Sequence, residues 1–93
     1  MRTQELKDFI NEHSALFWYS PEPKEKTVTD ELLVETILNY GDTEAVKQLF
    51  AVFGLRNVAD IFRSFTGQSE RCKGNYFPPV YNYFNLYFNR YAP

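Results

Sequence analysis

The chain has 93 residues, a formal net charge of −2 and one cysteine, which is room for a single domain over 1–93 and leaves no intramolecular disulfide to staple it. So mild a negative balance gives no basic footprint for neutralising many phosphates or coating an acidic membrane. Seven Tyr, nine Phe and one Trp supply bulk to a core of few positions, and they exceed what one small core is expected to hide.

Thr3 is placed to cap a first helix running to about His13, with Leu6, Phe9 and Ile10 at i, i+3, i+4 and Glu5, Lys7, Asp8 and Glu12 on the wet side. Ser14 to Tyr19 (SALFWY) is too apolar for a loop and too short for a helix of its own. It reads as an anchor whose aromatics plug the core, the alternative being an exposed aromatic docking site at Trp18. Ser20 to Lys26 carries two prolines and a charge run, so it is expected to lack regular structure and stay in solvent.

Thr29 to Gly54 forms the frame. TDELLVETILNYG places Leu33, Val34, Ile37 and Leu38 on one stripe, with Thr27 or Thr29 as cap and Gly41 as the stop, expected in the left-handed conformation. Asp42 then caps DTEAVKQLFAVFG, whose Val46, Leu49, Phe50 and Phe53 share a side up to the stop at Gly54. Two helices joined so tightly pack on each other.

Asn57 is the expected cap of a fourth helix bearing Val58, Ile61, Phe62 and Phe65 and ending at Gly67. Gln68 to Asn75 has no periodicity and reads as an exposed loop. In PPVYNYFNLYFNRYAP, Tyr81, Tyr83, Tyr87 and Tyr91 alternate with Val80, Phe84, Leu86 and Phe88 as in a strand, yet Val80, Tyr83, Phe84, Tyr87, Phe88 and Tyr91 also fit a helix opened by Pro78-Pro79. Helix is preferred, because a lone strand would leave its backbone groups unpaired. The fold class is therefore all-α, a small bundle of four to five helices with short glycine-stopped connections.

Charge is split along the chain: residues 1–54 hold five Lys/Arg against ten Asp/Glu, and residues 55–93 hold five against two. No phosphate loop, dinucleotide fingerprint, nucleophile elbow or zinc spacing occurs. One His and one Cys do not make a metal site, and Glu31 with Glu35 reads as a solvated acidic face, so no catalysis, metal or cofactor is expected. A lone Cys72, the absence of a long apolar run and the charged amphipathic start point to a cytoplasmic protein without a membrane span. A helix-turn-helix over EAVKQLFAVFGLRNVADIFRSF would aim Arg56, Asn57, Asp60 and Arg63 at a DNA groove. Phe50 stands where that motif needs a small residue, and Asp60 would repel phosphate, so nucleic acid is disfavoured.

Leu16-Phe17-Trp18, Ile37 to Asp42 (ILNYGD), Phe53-Gly54 and Tyr83 to Phe88 (YFNLYF) resemble, in order over about residues 16–91, a group of short bacterial domains of unknown function. Members of that group are often encoded beside abortive-infection toxins of the nucleotidyltransferase type. The resemblance implies an antitoxin or accessory role, with the neighbouring toxin as partner. From the residues, the expected activity is protein binding, through Tyr81, Tyr83, Tyr87 and Tyr91 and secondarily through Glu31 and Glu35, with weak homodimerisation as a further outcome.

Overall fold

The predicted apolar stripes bury Leu6, Phe9 and Ile10, then Leu33, Val34, Ile37 and Leu38, then Leu49, Val58, Phe62, Phe84 and Phe88, whereas Tyr83 and Tyr91 of the last stripe stay exposed. The computed structural model describes residues 3–18 and 20–93. Its elements are α1 (Gln4–Glu12), a 3-10 turn (Ser14–Phe17), α2 (Lys24–Thr27), α3 (Asp30–Tyr40), α4 (Thr43–Phe53), α5 (Leu55–Thr66), α6 (Glu70–Lys73) and α7 (Pro78–Tyr91). There is no strand among the described residues, so the fold is all-α, as the pattern predicts.

Three of the long helices, α1, α3 and α4, begin at a side-chain cap. Thr3 Oγ1 accepts from the Leu6 N-H at 3.2 Å, Thr29 Oγ1 from Leu32 N-H at 3.1 Å, and Asp42 Oδ1 from Ala45 N-H at 2.8 Å. Each cap satisfies a donor that the helix leaves without a partner, a contribution of about 1 kcal/mol. Between the Thr29 and Asp42 caps, α3 buries Leu33, Val34, Thr36, Ile37 and Leu38. It does so against α4, α5 and the 3-10 turn, while α1 lies on α2 and α4. The radius of gyration is 12.6 Å, close to the roughly 12 Å of a compact chain this long.

The last helix closes the core with rings. Phe88 is fully buried and Phe84 nearly so, and both meet the core face to face or edge on: Phe62 to Phe88 at 5.2 Å, Phe50 to Phe88 at 6.0 Å, Phe84 to Phe88 at 5.7 Å between centroids. Arg63 fixes the register by donating from Nη2 to the Phe88 carbonyl at 2.9 Å. Asn39 does the same at the other end, where its Nδ2 donates to the Asn75 carbonyl at 3.1 Å and its Oδ1 accepts from the Phe77 N-H at 3.2 Å.

Several local expectations are corrected. Gly41 has φ −74° and ψ 153°, an extended conformation open to any residue; its need for glycine is space, argued below. Gly54 is the glycine with positive φ, at 91°. Because it turns the chain so sharply, α5 starts at Leu55, and Asn57 is inside the helix with Nδ2 donating to the Phe53 carbonyl at 2.8 Å.

The SALFWY anchor is only partly inward: Phe17 is fully buried, but Trp18 is 80% exposed, and Tyr19 lies outside the described residues. In a turn with three residues per repeat, one side chain in three can face the core. The proline-rich connector is less solvated than its composition suggests. Lys24 is buried with Nζ donating to the Ser20 carbonyl and to Glu22 Oε1, each at 3.1 Å, and that bond holds the Glu22 carboxyl below its ordinary value. The segment after Gly67 is also ordered into the single turn α6, capped by Ser69 Oγ accepting from the Cys72 N-H at 3.1 Å.

Candidate functional site

Two concave surfaces lie on different sides of this frame, and they share no lining residue. The first is a trough of about 480 Å³ between α4 and α7, floored by Leu38 and Phe84 and walled by Val46, Phe50, Val80 and Tyr87. Tyr83 and Tyr87 on its wall belong to a ladder of rings at i, i+4, i+8 on α7 that continues past the trough: Tyr83 stacks on Tyr87 at 6.1 Å, and Tyr87 meets Tyr91 at 4.8 Å. Tyr87 also stacks on Phe50 of α4 at 5.8 Å, which ties the ladder to the core. Tyr83 and Tyr91 are 61% and 56% exposed, and Leu86, beside them on the helix, is 70% exposed. Arg90 lies over the Tyr91 ring at 5.5 Å.

Three of the four tyrosines singled out from sequence thus come together, and Tyr81 does not. On a helix, two residues from Tyr83 is a turn of about 200°, so Tyr81 faces the other way. Its ring is half-buried, stacked on Phe62 at 5.5 Å, with Lys73 Nζ 4.8 Å from the ring centre. Tyr81 packs against the core with a cation over its ring.

The second concavity is a cleft of about 480 Å³ lined by Ala15, Leu16 and Trp18 on one side, by Glu35, Thr36, Asn39 and Tyr40 of α3, and by Asn75. Tyr40 is 62% exposed and braced edge-on by Phe77 at 5.3 Å. Glu35 is half-buried, and burial raises its carboxyl above the ordinary value. Below it, burial and then the Glu35 charge push the Tyr76 hydroxyl upward as well. Glu31, one turn earlier, stays exposed and lines neither concavity.

A carboxyl whose folded value is raised binds its proton more tightly in the native state than in the unfolded chain. Stability therefore rises as pH falls through the folded value, and the full penalty applies at neutral pH. Glu35→Gln is expected to melt at a higher temperature than the parent at pH 7, with the gap closing below the ordinary carboxylate range. Thermal melts across pH test this; a variant less stable at pH 7 would refute the assigned strain.

Two of the residues that a DNA-reading helix would need are committed to the chain itself: Arg63 to the Phe88 carbonyl and Asn57 to the Phe53 carbonyl. Arg56 is exposed. His13 Nδ1 lies 3.0 Å from the Phe9 carbonyl, and Cys72 Sγ donates to Gln68 Oε1 at 3.8 Å. No group of three or more His, Cys, Asp or Glu could hold a metal ion among the described residues. No helix among them is long and apolar enough to cross a membrane.

Sequence reading missed the contributions of Phe50, Tyr40, Asn39 and Asn75 to these surfaces. Only the ladder leaves a periodic trace. No protein-family model matches this chain, and no curated protein or solved structure matches it significantly.

Proposed function

We propose that this chain works by binding another protein, as an antitoxin-like or accessory partner, and that the partner lays an amphipathic helix into the trough between α4 and α7. The observation that carries the reading is the exposure of Tyr83 on the wall of a concave surface floored by Leu38 and Phe84, with Leu86 and Tyr91 exposed farther along the same helix. Exposed aromatics on a rigid helix are the side chains that dominate binding energy, since they bring much area at little entropic cost. The walls support the choice of a helix. At 1.5 Å per residue, the 11 residues of α4 and 14 of α7 run about 16 and 21 Å, enough for roughly three turns of a guest helix presenting anchors at i, i+3/i+4 and i+7.

Co-expression with the product of the adjacent gene is expected to give a complex that survives gel filtration. Tyr83→Ala combined with Tyr91→Ala should weaken it by about tenfold or more, as loss of hot-spot rings does. The same pair should leave the melting temperature nearly unchanged, because exposed positions contribute little to folding. A complex indifferent to those rings and to Leu86→Ala would remove the trough as the binding surface. Light scattering at twice the monomer mass, abolished by the same substitutions, would make a second copy the occupant and overturn the heterologous partner.

A further inference from the structure

The cleft beside α3 combines features that neither core packing nor the trough accounts for. Its walls are two large aromatic rings, Trp18 and Tyr40, 80% and 62% exposed. Its lining includes one formal charge, that of Glu35. Among the described residues Glu35 has no ion pair and accepts no hydrogen bond. The remaining polar lining is held still: Asn39 is bonded on both sides to the 75–77 segment, so the Asn75 edge of the cleft is fixed to the helix that carries Glu35.

Ring faces carry the negative lobe of the aromatic quadrupole, and a carboxylate beside them adds a full charge of the same sign. An anion is repelled by those faces and by the carboxylate. A metal ion would find one carboxylate where it needs several donors. A bare ammonium is strongly hydrated and gains little from rings in a cleft open to water, whereas an alkylated ammonium is weakly hydrated, bulky and apolar at its rim.

We infer that the cleft formed by Trp18, Tyr40 and Glu35 is a binding site for a methylated ammonium group, held by the two ring faces and paired with the Glu35 carboxylate. The acid that strains the free fold gains in this site the counter-ion that the described residues do not supply. That is the usual relation between a functional site and stability, in which a group unfavourable to folding is kept for a ligand. The inference does not depend on the trough, which lies on other residues.

Trp18 is the single tryptophan, so its fluorescence reports on the cleft directly. Titrating the intact chain with tetramethylammonium chloride, against sodium chloride at equal ionic strength, is expected to give a saturable change for the organic cation alone. Choline should bind, and its neutral isostere 3,3-dimethylbutanol should bind at least about tenfold more weakly. Glu35→Gln should lose roughly tenfold in affinity while keeping or raising the melting temperature, which separates lost binding from lost folding. Tyr40→Ala should weaken binding similarly.

A peptide carrying trimethyllysine distinguishes the sources. Affinity well above that of choline assigns the site to a modified protein side chain, and equal affinity assigns it to the small cation; either supports the site. A response to tetramethylammonium no greater than to sodium, or a Glu35→Gln variant that binds as tightly as the parent, overturns it.

Discussion

Phe62→Ala is expected to be among the most damaging single truncations of a ring in this chain, lowering the stability by about 3–5 kcal/mol. Phe62 is 1% exposed, and it is the ring through which α5 grips everything C-terminal to it. Tyr76 meets it edge-on at 5.0 Å, Tyr81 stacks on it at 5.5 Å, and Phe88 meets it at 5.2 Å. Those three partners belong to different parts of the chain, the link before α7 and two turns of α7 itself, so the cavity left by alanine cannot be closed by moving one side chain. A domain of this size has about 5–15 kcal/mol in total. Urea unfolding should therefore show a midpoint lowered by about a fifth or more, and Phe62→Leu should recover most of the loss by refilling the volume.

Leu86→Ala is the control from the same region, because that leucine is 70% exposed and its truncation should change stability by less than about 0.5 kcal/mol. A double-mutant cycle between Phe62 and Phe88 isolates the edge-to-face pair, for which about 0.5–1.5 kcal/mol is expected beyond area burial. A Phe62→Ala midpoint within error of the Leu86→Ala midpoint would show that α7 is not docked through this ring.

The parts of the fold legible in the sequence are those where apolar residues recur at helical spacing within a helix of nine or more residues. Leu6, Phe9 and Ile10, then Leu33, Val34, Ile37 and Leu38, and then Phe84 and Phe88 are each buried where a 3.6-residue period puts them. Thr3, Thr29 and Asp42 cap where their side chains say they should.

Elements of one turn are illegible for a physical reason: four residues contain no repeat, and α2 is held by side-chain bonds back to Ser20, Pro21 and Glu22 and α6 by a serine cap. Lys24 shows the limit of reading charge as solvent exposure, since a lysine in a charge run is buried here by two acceptors within four residues of it. Trp18 shows the limit of reading hydrophobicity as burial. Its neighbour Phe17 takes the core position, and the turn leaves the indole outside.

The candidate surfaces divide along the same line. The ladder at Tyr83, Tyr87 and Tyr91 is a spacing of four and can be read directly, although Tyr81 had to be separated from it by the helix geometry. The cleft joins Trp18, α3 and Asn75, positions up to 57 residues apart in numbering. No window of sequence contains it.

The two glycines that punctuate the frame should respond to alanine for different reasons. At Gly54 the backbone has φ 91° and ψ 130°, where an L side chain is strained whatever the space around it, and the nearest atom to an added Cβ is Asn57 Nδ2 at an ordinary 3.4 Å. Gly54→Ala should cost about 1–3 kcal/mol through conformation alone. Asparagine should not relieve it, because the tolerance of Asn for positive φ is confined to the left-handed helical well and this ψ is far outside it. D-alanine, introduced by chemical synthesis, should not relieve it either, because its mirror image is an L-residue at φ −91° and ψ −130°, outside the allowed regions.

At Gly41 the dihedrals suit any residue, but an added Cβ would stand 2.6 Å from the Ile37 carbonyl oxygen and 3.1 Å from Ala45 Cβ. The chain is that close because the end of α3 must hand over to the first turn of α4 while both pack on one core. Gly41→Ala should cost about 1–3 kcal/mol by overpacking. Ala45→Gly in the same chain should restore little of it, since the tighter contact is with backbone and remains. Full recovery by Ala45→Gly, or rescue of Gly54→Ala by Gly54→Asn, would assign the strain at that junction to the wrong cause.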